Sequence, residues 1–214
     1  VTADACTATN RSLWITLQVN SKLPELWISL NQLRYQAYTS MAFGAENIIW
    51  ACYTAGWWTN QVVDKDGNKT EQYPKLQQVN KEIHALSPHY MKYRRTGTSF
   101  VGFDNTPWLN GSGIRSSSEH NDGVFAHLCA TDHSPLVVGT MLSRQADATH
   151  AIFVCSADDP NDKAPQQHTL HFCTSPGKTV KAHGGEGEIP VRQIDKDTYS
   201  LTIQSSQGIL IEAL

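Results

Sequence analysis

Leu30-Asn-Gln-Leu-Arg-Tyr-Gln-Ala-Tyr-Thr-Ser-Met-Ala-Phe43, followed by Gly44 and then Asn47-Ile-Ile-Trp-Ala-Cys-Tyr53, is the stretch that decides the fold. Leu30, Leu33, Ala37, Tyr38, Met41 and Ala45 recur at helical spacing, which predicts an amphipathic helix from Leu30 to about Phe43. Ser29 and Gln32 fit the two halves of a capping box at its start, and Gly44 suits its C-terminal end. The run 47–53 is almost unbroken in its apolar character. Such a strand is expected to be covered on both faces, as in parallel sheets flanked by helices.

Working outward, Leu13-Trp-Ile-Thr-Leu-Gln-Val19 reads as an earlier strand. Asp64-Lys-Asp-Gly-Asn-Lys69 reads as a polar turn, and Pro74 suits the first turn of a second helix whose apolar stripe is Leu76, Val79, Ile83 and Leu86. The order strand, helix, strand, helix is a pair of βα units with crossovers long enough for parallel pairing. Two such strands need neighbours for their backbone hydrogen bonds, and a closed (β/α)8 barrel takes about 250 residues. Residues 1 to about 95 are therefore expected to be the last part of something larger.

The grammar changes near Arg95 to Gly97. Beyond it come short alternating segments at 99–103, 124–129, 136–142, 150–155, 169–173, 199–203 and 208–212, many of them separated by turn residues such as Asp158-Asp-Pro-Asn161. This spacing predicts an antiparallel sandwich. Ser112 to Asp122 reads as a long surface loop. The fold class is thus α/β plus all-β: residues 1–97 as the C-terminal part of a barrel and 98–214 as an accessory β-sandwich.

Composition narrows the function. Across 214 residues, 17 Lys and Arg against 20 Asp and Glu leave a formal charge of −3, no basic surplus for a nucleic-acid partner. The apolar runs fall short of the roughly 18 residues of a membrane span, so no membrane partner is expected. The five cysteines are widely spaced without a CxxC pair, which reads as buried small residues and not a disulfide framework. Val1–Cys6 lacks an initiating Met and the pattern of a signal peptide, so the sequence is expected to be a processed chain or a fragment, from a cytoplasmic or a secreted parent. His168 and His171, three apart in a strand, face opposite ways, and His120, His127, His133, His150 and His183 are scattered, so neither a metal nor a cofactor is expected. Phosphate-loop, dinucleotide and serine-hydrolase motifs are absent from the sequence.

The segment Leu33 to Tyr53 resembles bacterial β-galactosidase-like, family 42-like glycoside hydrolases, whose helix reads LR-x-Q-x-(Y/F)-x-x-(L/M)-A-(Y/F)-G-A before a strand ending in an aromatic residue. Asp64–Thr70 with Val79–Leu86 is similar to the family's last barrel helix, and Leu136–Thr140 with Ile152–Val154 to the core strands of its β-domain. The resemblance implies the seventh and eighth βα units of a (β/α)8 barrel, a carbohydrate substrate, and either the remainder of a barrel or another copy of the chain as partner. Retaining glycosidases use two carboxylates about 5 Å apart. The resemblance puts the nucleophile, a Glu, at the end of the seventh strand, where this sequence has Gln18; the acid/base would sit on a strand outside this sequence.

Glu25, in the following loop, is the weak catalytic candidate, against the reading of a solvated loop acid. Glu46 lies at the wrong end of the strand for catalysis, and Asp64 and Asp66 read as turn residues. Tyr53, Trp57 and Trp58 follow the last strand and would face a catalytic mouth, either stacking on sugar rings or packing under a neighbour. Gln18, Asn20 and Asn60 could hydrogen-bond sugar hydroxyls. The expectation is a glycoside hydrolase segment that alone has little or no activity. A non-catalytic carbohydrate-binding or scaffolding module is the alternative.

Overall fold

The computed structural model describes residues 1–21, 23, 26–54, 60–103, 115–147, 149–161 and 166–214. Helix α1 (Thr2–Ala8) precedes strand β1 (Leu13–Gln18), helix α2 (Leu30–Ala42), strand β2 (Ala45–Ala51) and helix α3 (Gln72–Tyr90). Among the described residues nine strands follow β3 (Tyr93–Val101): β4 (Phe125–Ala130), β5 (Leu136–Ser143), β6 (His150–Ser156), β7 (Gln167–Thr174), β8 (Val180–Gly184), β9 (Gly187–Ile189), β10 (Arg192–Asp195), β11 (Thr198–Gln204) and β12 (Gly208–Ala213). Among the described residues no helix is long and apolar enough to cross a membrane.

The expected βα pair forms. Ser29 Oγ accepts from the Gln32 N–H at 3.1 Å while Gln32 Oε1 accepts from the Ser29 N–H at 2.8 Å, so the capping box closes and α2 starts where it was expected. Gly44, at φ 86°, lets the chain turn directly into β2. β1 and β2 pair in parallel, with Trp14 opposite Asn47, Thr16 opposite Ile49 and Gln18 opposite Ala51. Leu17, Val19, Leu33, Ala37, Val62, Leu76 and Val79 form a core between this pair and the two helices.

One expectation for β2 is corrected. Its helix-facing residues Ile48 and Trp50 pack into the core, but Asn47 and Ile49 are exposed, as are Trp14, Thr16 and Gln18 on the same face of β1. Trp14 and Ile49 are 63% and 48% exposed. Among the described residues each strand also pairs on one side only.

The remaining strands form a six-stranded sheet in the order β3-β5-β6-β12-β8-β9 and a four-stranded sheet in the order β10-β11-β7-β4. Both are antiparallel. They share one core, which includes Phe125, Val138, Ile152, Leu170, Phe172, Leu201 and Ile211. The opposite face of the larger sheet carries Val137, Met141, Phe153 and Leu210, which pack against Tyr38, Met41, Leu86 and Tyr90 of α2 and α3. β5, β6 and β12 are therefore covered on both faces, which explains the unbroken apolar runs of β6 and β12. Three strands, β8 to β10, were not expected. The boundary at 97/98 falls inside β3, which pairs with β5 from Tyr93 onward. The expected loop at 112–122 lies partly outside the described residues. From 115 on, Ser117 bridges to Val101 and His120 to Leu128.

Close backbone approach sets the helix-to-sheet distance. A Cβ on Gly139 of β5 would lie 2.3 Å from the Ala42 carbonyl oxygen at the end of α2, and one on Gly185 would lie 2.6 Å from the Cβ of Glu82 on α3.

Candidate functional site

Strand β1 ends in Gln18, and the chain then buries Val19 and Asn20 completely before turning away. Two of the expected binding residues, Gln18 and Asn20, thus come together. The Gln18 Nε2 donates to the Asn20 carbonyl oxygen at 2.6 Å. Gln36 of α2 clamps the Gln18 backbone from the side, its Oε1 accepting from the Gln18 N–H and its Nε2 donating to the Gln18 carbonyl, both at 3.3 Å.

These residues line an open hollow of about 350 Å³ whose other walls include Ile28, Gln32, Tyr35 and Pro160. Burial pushes the Tyr35 phenol up to about 12, so it stays neutral. The hollow offers amide and phenol groups above an apolar floor. Such a lining can recognise neutral hydroxyls, and among the described residues it includes no acid or base for bond cleavage. Gln32, Tyr35 and Gln36 were not among the expected site residues; the available signal was their place on α2 beside the apolar stripe Leu33, Ala37 and Met41.

Tyr53 is 41% exposed and lines a separate hollow with Tyr73, Leu76, Asn80 and His84. Glu25, Trp57 and Trp58 lie outside the described residues. Asn60 is committed to the loop before α2, its Nδ2 donating to the carbonyls of Leu23 and Leu26 at 2.9 and 2.6 Å. Trp50 faces α3 and donates from Nε1 to Asn80 Oδ1 at 2.8 Å. Glu46 accepts from Ser12 Oγ at 2.8 Å and from Arg144 Nη2 at 2.6 Å, which makes it a structural anchor. The Asp64 carboxylate accepts from the N–H groups of Asp66 and Asn68, as a turn residue does. All five cysteines are free, and only Cys155 is fully buried.

Two histidine clusters join residues that spacing alone does not connect. His168 on β7 is 1% exposed and sits between Asp132 Oδ2 and Asp158 Oδ2, each 2.7 Å from a ring nitrogen. The hydrogen bond from Asp158 raises it to about 9, with burial opposing and Asp132 adding to the rise. His171 on the same strand is exposed on the opposite face, as its spacing predicts.

In the second cluster, His89 at the end of α3 stacks on His183 of β8 with ring centroids 3.6 Å apart. His183 Nε2 is 2.9 Å from Glu212 Oε2, and the Tyr93 hydroxyl donates to Glu212 Oε1 at 2.7 Å. His183 and Glu212 are 8% and 4% exposed. Burial, with His183 beside it, holds His89 below the ordinary imidazole value.

No family model and no curated protein matches this chain. Among solved structures it is similar to the glycoside hydrolase family 30 subfamily 8 xylanase Xyn30A from Clostridium acetobutylicum, at 8% identity over 97% of this chain and 44% of that one, with a TM-score of 0.39. It is similar to the α-fucosidase of Thermotoga maritima, at 15% identity over 95% of this chain and 40% of that one, with a TM-score of 0.42. A family 30 endoxylanase from Clostridium papyrosolvens C71 matches at 10% identity over 98% and 43%, with a TM-score of 0.39. The chain spans about two fifths of the length of these structures. These structural neighbours are glycoside hydrolases at low identity.

Proposed function

We propose that this chain is the C-terminal part of a glycoside hydrolase acting on β-galactoside-like glycosides. In this reading β1–α2 and β2–α3 are the last two units of a (β/α)8 barrel within residues 1–97, and residues 98–214 form the accessory β-sandwich. The observation that carries it is the bare parallel pair. Helices cover one face of β1 and β2, while Trp14 and Ile49 lie open on the other and each strand has a free edge among the described residues. Parallel strands are ordinarily covered on both faces, so the bare face fits further strands supplied by the rest of a barrel or by a second copy of the chain.

Gln18 stands where the resemblance expects the nucleophile. A carboxamide has no lone-pair-bearing anionic oxygen to attack an anomeric carbon, so this position can only bind or orient. In this reading Gln18 belongs to the sugar-binding wall, with the buried Asn20 holding its side chain through the backbone carbonyl, and Tyr53, at a separate hollow, together with Trp57 and Trp58 is proposed as a further aromatic sugar contact. The same amide favours the second reading, a non-catalytic carbohydrate-binding or scaffolding module.

Turnover of 4-nitrophenyl β-galactoside by the chain alone is expected to be absent. Saturation-transfer NMR with lactose is expected to show weak binding that is reduced in Gln18→Ala. Turnover by the isolated chain overturns the incomplete-site reading, and no sugar contact at high concentration overturns both.

A further inference from the structure

We propose that His89, His183 and Glu212 form a binding site for one divalent transition-metal ion of the zinc class, pinning the end of α3 to the six-stranded sheet. This inference is independent of any action on sugars. One ligand atom from each of the three residues lies within 4.8 Å of the others. Two imidazoles and one carboxylate are a donor set suited to Zn²⁺, and the Irving–Williams order admits Co²⁺ and Ni²⁺ at the same donors.

Several features fit a site and not a chance meeting of polar groups. The residues come from three elements, α3, β8 and β12, at a packed interface where unpartnered polar atoms are costly. Yet His89 Nδ1 is buried there without a hydrogen-bond partner. A coordinated ion at the cluster would remove that cost if His89 turns this nitrogen to it.

The carboxylate is already oriented. Tyr93 holds Glu212 Oε1 at 2.7 Å, which leaves Oε2 toward His183, and a hydrogen bond of this kind is how ligating carboxylates are usually held. The 2.9 Å between His183 Nε2 and Glu212 Oε2 is close to the ~3.3 Å expected between two ligands of one tetrahedral ion. Bringing the widest separation to that value takes side-chain movement of about 1.5 Å at most. In doing so the ion takes the place of the hydrogen bond between His183 Nε2 and Glu212 Oε2, the proton between them passing to His183 Nδ1 or to solvent, and the His89–His183 stack opens.

The site also has a way in. Glu188 on β9 is opposite His183 in the β8–β9 register and is exposed, so it stands at the rim as a fourth ligand or as an entry group. The sequence has nine histidines, several of them exposed, so binding by itself does not establish the site.

The test is a titration of the metal-free chain with Zn²⁺, and with Co²⁺ for its visible absorption. Wild type is expected to bind one ion per chain, with a tetrahedral or five-coordinate Co²⁺ spectrum and a Tm rise of about 5–10 °C at a hundredfold excess over Kd. His89→Gln and His183→Gln are expected to lose the spectrum and the Tm rise, while the exposed control His127→Gln keeps both. Equal binding in wild type and in both cluster variants overturns the site, as does no binding in wild type. If the variants fail to fold, X-ray absorption on the wild-type Zn²⁺ complex decides: two imidazole shells support the site, and one or none overturns it.

Discussion

Arg34 on α2 holds Glu82 on α3 by both carboxylate oxygens: Nε donates to Oε2 at 3.0 Å and Nη2 to Oε1. Tyr38 donates to Oε2 at 3.0 Å and Gln78 to Oε1 at 2.8 Å, so all the acceptor capacity facing inward is used. Burial alone would raise Glu82, but the bonds from Arg34 and Gln78 hold it below the ordinary carboxylate value. The pair ties together the two helices that lie between the parallel strands and the sandwich.

Removing one partner leaves an uncompensated buried charge. Glu82→Ala is therefore expected to lower stability by about 3–5 kcal/mol in urea unfolding. Replacing both residues, Arg34→Met with Glu82→Met, is expected to recover most of that loss, because the desolvation of both ions disappears with the pair. A double variant as unstable as the single one contradicts this account.

Gly139 and Gly97 are both strand glycines, and the structure separates them. A Cβ at 139 meets the Ala42 carbonyl at 2.3 Å, whereas one at 97 meets nothing within 4 Å. Gly139→Ala is expected to push α2 away from β5 and cost about 1–3 kcal/mol or more. Gly97→Ala is expected to change stability by less than about 0.5 kcal/mol. Thermal unfolding of the two variants side by side checks the contrast.

Legibility followed the range of the interaction. The capping box at Ser29 and Gln32 and the stripe Leu76, Val79, Ile83, Leu86 are local, and the elements formed as expected. Strand coverage is not local. The apolar runs of β2 and β6 look alike, but helices pack on one face of the six-stranded sheet and the four-stranded sheet on the other, while among the described residues β2 is packed by helices on one face only. β8 to β10 are short and lack clear alternation, so the sequence pattern does not mark them as strands. Of the candidate site, Gln18 and Asn20 meet because they are near in sequence. His89, His183 and Glu212 meet only because β8 pairs with β12 beneath the end of α3, which no spacing rule foresees.

His168 gives the chain a directed pH dependence. Its folded value is raised to about 9 from the ordinary 6.5, chiefly by Asp158. Below pH 6.5 the ring is protonated in both folded and unfolded chains, so its full contribution to stability is present. That contribution is lost as pH rises from 6.5 through about 9. Asp132 and Asp158 are held low by His168 against their own burial, so their contribution is present above the ordinary carboxylate range and is lost as pH falls through their folded values. Stability is expected to decline by on the order of 2 kcal/mol along the alkaline limb, and His168→Gln is expected to flatten it. Urea midpoints between pH 6 and 9.5 read this directly. An unchanged alkaline slope in the variant assigns the decline to other groups.

The bare face of β1 and β2 makes the last prediction. Among the described residues Trp14 and Ile49 are two of the most exposed large apolar side chains and sit on one face of a sheet whose edges are unpaired. Exposed apolar residues beside unpaired strand edges promote association of the isolated chain. Trp14→Ser with Ile49→Thr removes that surface without opening a cavity, so the unfolding free energy is expected to stay within about 0.5 kcal/mol of wild type. Sedimentation equilibrium is expected to show less self-association in the same variant. A loss above about 2 kcal/mol would mean that other residues of this chain cover the face, and the bare parallel pair would then no longer support a barrel completed from outside.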